Sequence, residues 1–260
     1  MAHEQIFFAL AVLAGLAVYV WLGRRIAARG GKVASDKLGT PDLLMGWALV
    51  NWFGLLMTAS ARRPRPHAVH TRDVIHSALM ETLLVAVICG FLRYRGIRLR
   101  EFFGLRRTPP GKTLGLAILF LFAAYPLIDL ASLPFGKGRP QEIVQFFLET
   151  LLQPDRRPVI ITLTMGVLIA PVAEELIFRG YIYPIVKRYL GIVAGVAVNS
   201  ALFAAIHMDK QALLPLFTLA VCFSLVYEAT GSLLVSATMH SLFNLNTFLA
   251  LAAMARAHLL

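Results

Sequence analysis

Apolar stretches long enough to cross a bilayer recur from one end of this chain to the other, and no other feature restricts its fold as tightly. Eight are separable: 6–22, 43–59, 74–92, 113–133, one starting near 158, one after Leu190-Gly191, 212–227 and 232–253. A transmembrane helix needs ~20 such residues. Inside hydrocarbon every backbone N–H and C=O must find its partner within the protein, which an α-helix provides segment by segment. The expected fold is therefore all-α, a polytopic transmembrane bundle of about eight helices. A shorter segment, 141–152, is amphipathic and suits a position at the membrane interface. Composition agrees: 58% of the 260 residues are hydrophobic and mean hydropathy is +0.71, well above a soluble domain.

The flanking charge sets an expected orientation. No basic residue precedes the first run, and Arg24, Arg25 and Arg29 follow it, the reverse of a secretory signal peptide. The first run reads as an uncleaved helix with its N-terminus outside. Alternation then puts 24–40, 93–112, 179–190 and 229–231 inside, with 15 of the 25 Lys and Arg and both termini outside. The formal charge of +11 reads as loop charge that sets topology and touches anionic lipid. With no soluble basic domain, nucleic-acid binding is not expected. Cys89 and Cys222 lie in apolar runs and suggest no disulfide framework. Pro64-Arg65-Pro66 and Pro109-Pro110 read as loop punctuation. The localisation expected is integral and multi-pass, in the cytoplasmic membrane if the source is bacterial. No sequence feature bears on oligomeric state.

One apolar run ends in Ala173-Glu174-Glu175-Leu176-Ile177-Phe178-Arg179-Gly180. Ionisable groups within a hydrophobic span are costly and normally face a protein interior or a water-filled cavity. Glu175 and Arg179 are four apart, carboxylate first, the favourable order for a helical ion pair. Glu174 points about 100° away from Glu175. The arginine can therefore neutralise one carboxylate and leave the other free for chemistry. The competing explanation is a helix end reaching the headgroups with both carboxylates solvated.

Further polar residues stand in the last third. His207 ends the sixth run, with Phe203 four residues before it and Asn199 four before that; His240 lies inside the eighth, with Asn244 four later and Ser236 four earlier. Singly, such residues often serve as helix–helix glue. Together with Glu174 and Glu175 they form a set of the kind that gathers where water and chemistry are needed. Glu174 and His207 are 33 residues apart, with Leu190-Gly191 midway. If the fifth helix continues through Arg179 to Arg188 and turns there, the two lie level on antiparallel neighbours. If it stops at Gly180 they do not, and Pro184 would kink the longer version.

Glu174-Glu175-x-x-x-Arg179, Phe203-x-x-x-His207 and His240-x-x-x-Asn244 resemble, in order and spacing, the three motifs of the CPBP family: the type II CAAX prenyl endopeptidases and their bacterial relatives. The likeness covers roughly residues 155–250. It implies a division into accessory transmembrane helices at 1–154 and a catalytic helical core at 155–260. The implied activity is intramembrane proteolysis of a peptide or membrane protein near the bilayer. By position in the motifs, Glu174 would activate the attacking water with help from His207. His240 and Asn244 would stabilise the oxyanion, and Glu175 with Arg179 would hold the site together. Direct water activation, with no cofactor, is the favoured mechanism. A zinc or other divalent-metal site on Glu174, His207 and His240 is the alternative, although no His-Glu-x-x-His helix is present. Two other classes stand beside it. Some relatives are linked to bacteriocin self-immunity or to scaffolding, and intramembrane Glu and His also serve transporters and proton relays, to which Glu81 and Asp129 lend slight support.

Overall fold

The computed structural model describes residues 2–62, 69–135, 142–151 and 153–257. Pro64-Arg65-Pro66 and both ends of the 141–152 segment lie outside the described residues. The described residues form helices and no strand: α1 Ala2–Arg29, α2 Thr40–Ala61, α3 Thr71–Tyr94, the single turn α4 Leu99–Phe102, α5 Pro110–Ser132 and α6 Glu142–Leu151. There follow α7 Arg157–Thr164, a π-turn Met165–Ile169, α8 Ala170–Ile177, a second π-turn Phe178–Ile182, α9 Tyr183–Ile206, α10 Leu213–Thr230 and α11 Leu233–Ala257.

Six stretches among the described residues are long and apolar enough to cross a membrane, the longest being Arg157–Ile206. That stretch is two limbs, because Gly191 breaks α9 with φ 83° and ψ 176° and reverses the chain. A positive φ is costly for any residue carrying a Cβ, so glycine suits this turn. The eighth run, α11, is diluted by Ser, His and Asn, yet packs within the bundle against α5, α8 and α10. All eight apolar runs are thus helical, and the chain is an integral, multi-pass membrane protein.

The most enclosed helix is α10, where Leu219, Ala220, Cys222, Phe223, Val226 and Tyr227 are all buried. It meets α1, α5, α9 and α11. A helix apolar on every side is stable only when surrounded. By contrast α1 and α3 expose Phe7, Leu10, Leu13, Leu79 and Leu83, as lipid-facing helices do. The amphipathic α6 turns Phe147 and Leu151 into a small cluster with Val159 of α7 and Phe248 of α11. Its apolar face is thereby occupied by protein. Cys89 and Cys222 are both free.

The segments expected inside meet at one end of the bundle. Lys32 N–H donates to the Glu228 carbonyl (2.9 Å), Arg107 Nη1 to the Lys32 carbonyl (2.8 Å), Lys187 Nζ to the Val33 carbonyl (2.8 Å) and Leu233 N–H to the Phe103 carbonyl (3.0 Å). At their centre the fully buried Glu228 accepts from Lys187 Nζ at 2.5 Å, from Val33 N–H at 3.4 Å and from the Tyr183 hydroxyl. A Cβ on Gly31 would fall 1.4 Å from Glu228 Oε1, so the α1–α2 connection can close over this carboxylate only without a side chain there. Nearby, Arg95 pairs with the buried Asp42, tying the end of α3 to the start of α2.

Candidate active site

The two π-turns bracket the glutamates, and each precedes a proline, Pro171 or Pro184, near the start of the following helix. Proline has no N–H to give and its ring crowds the carbonyl four residues back. Widening the preceding turn accommodates both defects, and π-bulges occur often at functional sites. The helix therefore runs on past Gly180 to the Gly191 turn, and Pro184 does not end it. Of the two arrangements the sequence allows, this is the one in which the chain turns at Gly191.

The first π-turn leaves a carbonyl without a donor. Ala170 N–H bonds to Met165 O, and residue 171 is proline, so Gly166 O has no helical partner. Asn244 Nδ2, reaching across from α11, donates to it at 2.7 Å. One amide hydrogen of Asn244 is thereby committed to the backbone of the glutamate helix.

Glu175 and Arg179 form an ion pair, Oε1 to Nη1 2.8 Å, with both side chains fully buried. The guanidinium lies 4.4 Å from the Phe203 ring centre and 5.2 Å from that of Phe223, and its Nη2 donates to the Ala220 carbonyl at 3.3 Å. Desolvated cation–π contacts of this kind are each worth up to ~2 kcal/mol. The pair is thus held within protein, away from the headgroups. Phe203 is the hinge of the packing: it also stacks edge-on against Phe178 and lies against both His207 and His240.

Buried His240 sits between the two glutamates. Its Nδ1 donates to Glu175 Oε1 at 3.3 Å, and Nε2 lies 3.8 Å from Glu174 Oε2, too far for a direct hydrogen bond. Glu174 keeps 17% of its side-chain surface exposed, against none for Glu175. The two adjacent carboxylates therefore differ as their helical offset predicts: one sealed and neutralised, the other open. Among the described residues no hydrogen bond or ion pair joins His207 to Glu174. His207 Nδ1 instead donates to the Phe203 carbonyl at 2.7 Å, which leaves Nε2 of the neutral ring as its acceptor edge. Asn199 is fully buried and donates to Ser224 Oγ at 3.3 Å, while Ser236 Oγ donates to the Leu233 carbonyl at 3.1 Å. The first ties α9 to α10; the second stays within the first turn of α11.

Among the described residues no three His, Cys, Asp or Glu side chains gather closely enough to hold a metal ion. Glu174, His207 and His240 are accordingly not assembled as a zinc site. Two features escaped the sequence reading. The Glu228–Lys187–Tyr183 cluster joins residues 41 to 45 apart, and its only sequence signal is a lone glutamate just before a helix-ending Gly231. Glu81 of α3, a helix that packs on α8, has its Oε2 buried without a hydrogen-bond partner among the described residues.

Comparison with known proteins places the same region. A family model, Type II CAAX prenyl endopeptidase Rce1-like, matches residues 156–246, from the start of α7 to the middle of α11. No curated protein and no solved structure matches the chain.

Proposed function

Because residues 156–246 match the family model Type II CAAX prenyl endopeptidase Rce1-like, we propose that this membrane protein cleaves a peptide or membrane-associated protein near the bilayer by glutamate-activated water. One observation carries the reading: of two adjacent glutamates, Glu175 is sealed on Arg179 while Glu174 stays partly open beside His240. In this mechanism Glu174 takes a proton from water, and His207 Nε2 accepts a hydrogen bond from the same water. The hydroxide oxygen attacks the peptide carbonyl carbon. The oxyanion of the tetrahedral intermediate is met by the second amide hydrogen of Asn244 and by Nε2–H of His240, whose ring in this scheme carries that proton in addition to the Nδ1–H given to Glu175. Glu174 then passes its proton to the amide nitrogen, the C–N bond breaks, and the remaining proton of the new carboxyl passes to the amine, so that a carboxylate and an ammonium leave. Glu175 and Arg179 take no proton; they fix the ring of His240 and the pitch of α8.

No metal enters this scheme. The helices before residue 155 act as accessory elements, and the core lies in 155–260. The test is cleavage of a panel of dye-quenched membrane peptides, prenylated and unprenylated, by purified protein in liposomes. Wild type should cut at least one of them, and Glu174→Ala, His207→Ala and His240→Ala should cut none while remaining folded. A folded Glu174→Ala protein that cleaves normally removes the proposal.

A further inference from the structure

The three motifs place their residues on α8, the second π-turn, α9 with the residue that ends it, and α11; α10 carries none of them. Yet α10 is the most enclosed helix and packs on both α9 and α11. It reaches the site at two points. The Ala220 carbonyl accepts from Arg179 Nη2 at 3.3 Å. The fully buried ring of Phe223 lies with its centre 5.2 Å from the Arg179 guanidinium and 5.0 Å from the centre of the His240 ring. Those two residues share one acceptor. Arg179 Nη1 at 2.8 Å and His240 Nδ1 at 3.3 Å both donate to Glu175 Oε1. Phe223 therefore touches both donors of a single buried carboxylate oxygen.

The imidazole of His240 needs such a neighbour. Its χ2 is an sp³–sp² torsion, broad and roughly two-fold, so the ring has little torsional preference of its own. A single hydrogen bond of 3.3 Å fixes one ring atom and leaves the plane free to rock about it. Nε2 lies 3.8 Å from Glu174, beyond the reach of a hydrogen bond that could steady it. The plane is set instead by packing against other rings. Phe203 meets His240 edge-on, at 5.9 Å and 73°, a contact that tolerates rocking. Phe223, at 5.0 Å and 34°, is much nearer parallel, so tilting the imidazole drives one ring into the other. We propose that Phe223 is a positioning residue: by holding the plane of the His240 ring against Glu175, it aims Nε2–H at the place where the oxyanion forms. This rests on the proteolytic reading above. An oxyanion donor is effective only when it sits about 2.7–3.1 Å from the developing charge, so a rocking ring forfeits most of its contribution.

The experiment sets Phe223→Leu against a control of the same chemistry, Phe120→Leu. Phe120 of α5 is buried in the same apolar cluster, with its ring against Tyr19 of α1. Both changes remove buried aromatic surface, and both should lower the melting temperature. On the best-cleaved peptide of the liposome panel, Phe223→Leu should lower kcat on the order of 10- to 100-fold with KM within about threefold, the mark of a group held out of place, while Phe120→Leu keeps both within about threefold of wild type. A second readout needs no substrate. The Nδ1–H proton of His240, bonded to Glu175, gives a downfield NMR signal that is identified by its loss in His240→Ala. It should be present in wild type and in Phe120→Leu, and absent or broadened by exchange in Phe223→Leu, whose imidazole is free to turn. Should Phe223→Leu fail to fold, Phe223→Met carries the same comparisons, because a flexible thioether fills the space without a flat face. Equal kcat in the Phe223 and Phe120 variants, a loss confined to KM, a missing Nδ1–H signal in wild type, or an undiminished one in Phe223→Leu overturns the role of Phe223. Glu174→Gln runs in parallel: if it cleaves normally, the proteolytic reading itself has failed, whereas a dead Glu174→Gln beside a Phe223→Leu that matches Phe120→Leu sinks only this inference.

Discussion

Two buried clusters, each built on a glutamate paired with a base, sit in different parts of this bundle and are wired differently. The Glu228 cluster is closed. Lys187, Tyr183 and a backbone N–H converge on one carboxylate, and the α1–α2 connection is drawn over it. The Glu175 cluster is open. Its ion pair is sealed, yet beside it stand a partly open Glu174 and a histidine shared between two carboxylates. A fold needs its buried charges balanced, because removing one partner leaves the other stranded. Carboxylates beyond that balance cost stability, and their presence on one side only is what separates a site from a clasp.

The largest expected effects come from breaking either ion pair. Lys187→Ala should lower stability by ~3–5 kcal/mol, or about 6–20 °C in melting temperature, measured by thermal unfolding in detergent. Protein below its melting point should still cleave. Arg179→Ala should cost a similar amount and also abolish cleavage, since it strands Glu175 beside His240. Equal activity loss in the two variants would erase the distinction between clasp and site.

Asn244→Ala tests a residue that serves both sides of the comparison. Losing the donor to Gly166 O leaves a part-buried carbonyl unpaired, a cost of ~1 kcal/mol. Losing an oxyanion donor should slow cleavage on the order of 10²–10³-fold. A drop in stability without the kinetic loss would assign Asn244 to the π-turn alone.

The smallest effect expected is that of a chelator. Cleavage by protein treated with EDTA and freed of metal should match the untreated rate within about twofold, with no stoichiometric zinc by metal analysis, because no metal takes part in the proposed scheme. Stoichiometric zinc whose removal stops cleavage and whose return restores it would put a metal where direct water activation is proposed.

Much of the architecture was legible in the sequence. Apolar length alone yields eight helices, since hydrocarbon leaves the backbone no other choice, and the basic loops assigned to one side do converge there. Spacing of four places Glu175 against Arg179, and Leu190-Gly191 as a midpoint locates the turn. What spacing cannot supply is the neighbour across a helix–helix contact. Periodicity places Asn244 on the face of His240 but does not say that a π-turn will leave Gly166 O waiting for it, although the two prolines were the available signal. Glu81 read as an isolated carboxylate in an apolar run because α8, on which α3 packs, lies far along the chain, and the Glu228 cluster went unread for the same reason. Tertiary pairing at that range leaves no periodic trace.

The central claim is that Glu174 is the working carboxylate and its neighbour a structural one, and Glu174→Gln set against Glu175→Gln tests it most directly. Cleavage of the best liposome peptide and melting temperature are measured on both. Glu174→Gln should lose cleavage by about 10³-fold or more and melt no lower than wild type; Glu175→Gln should melt several degrees lower. A Glu174→Gln protein that melts low but cleaves at the wild-type rate would contradict the account.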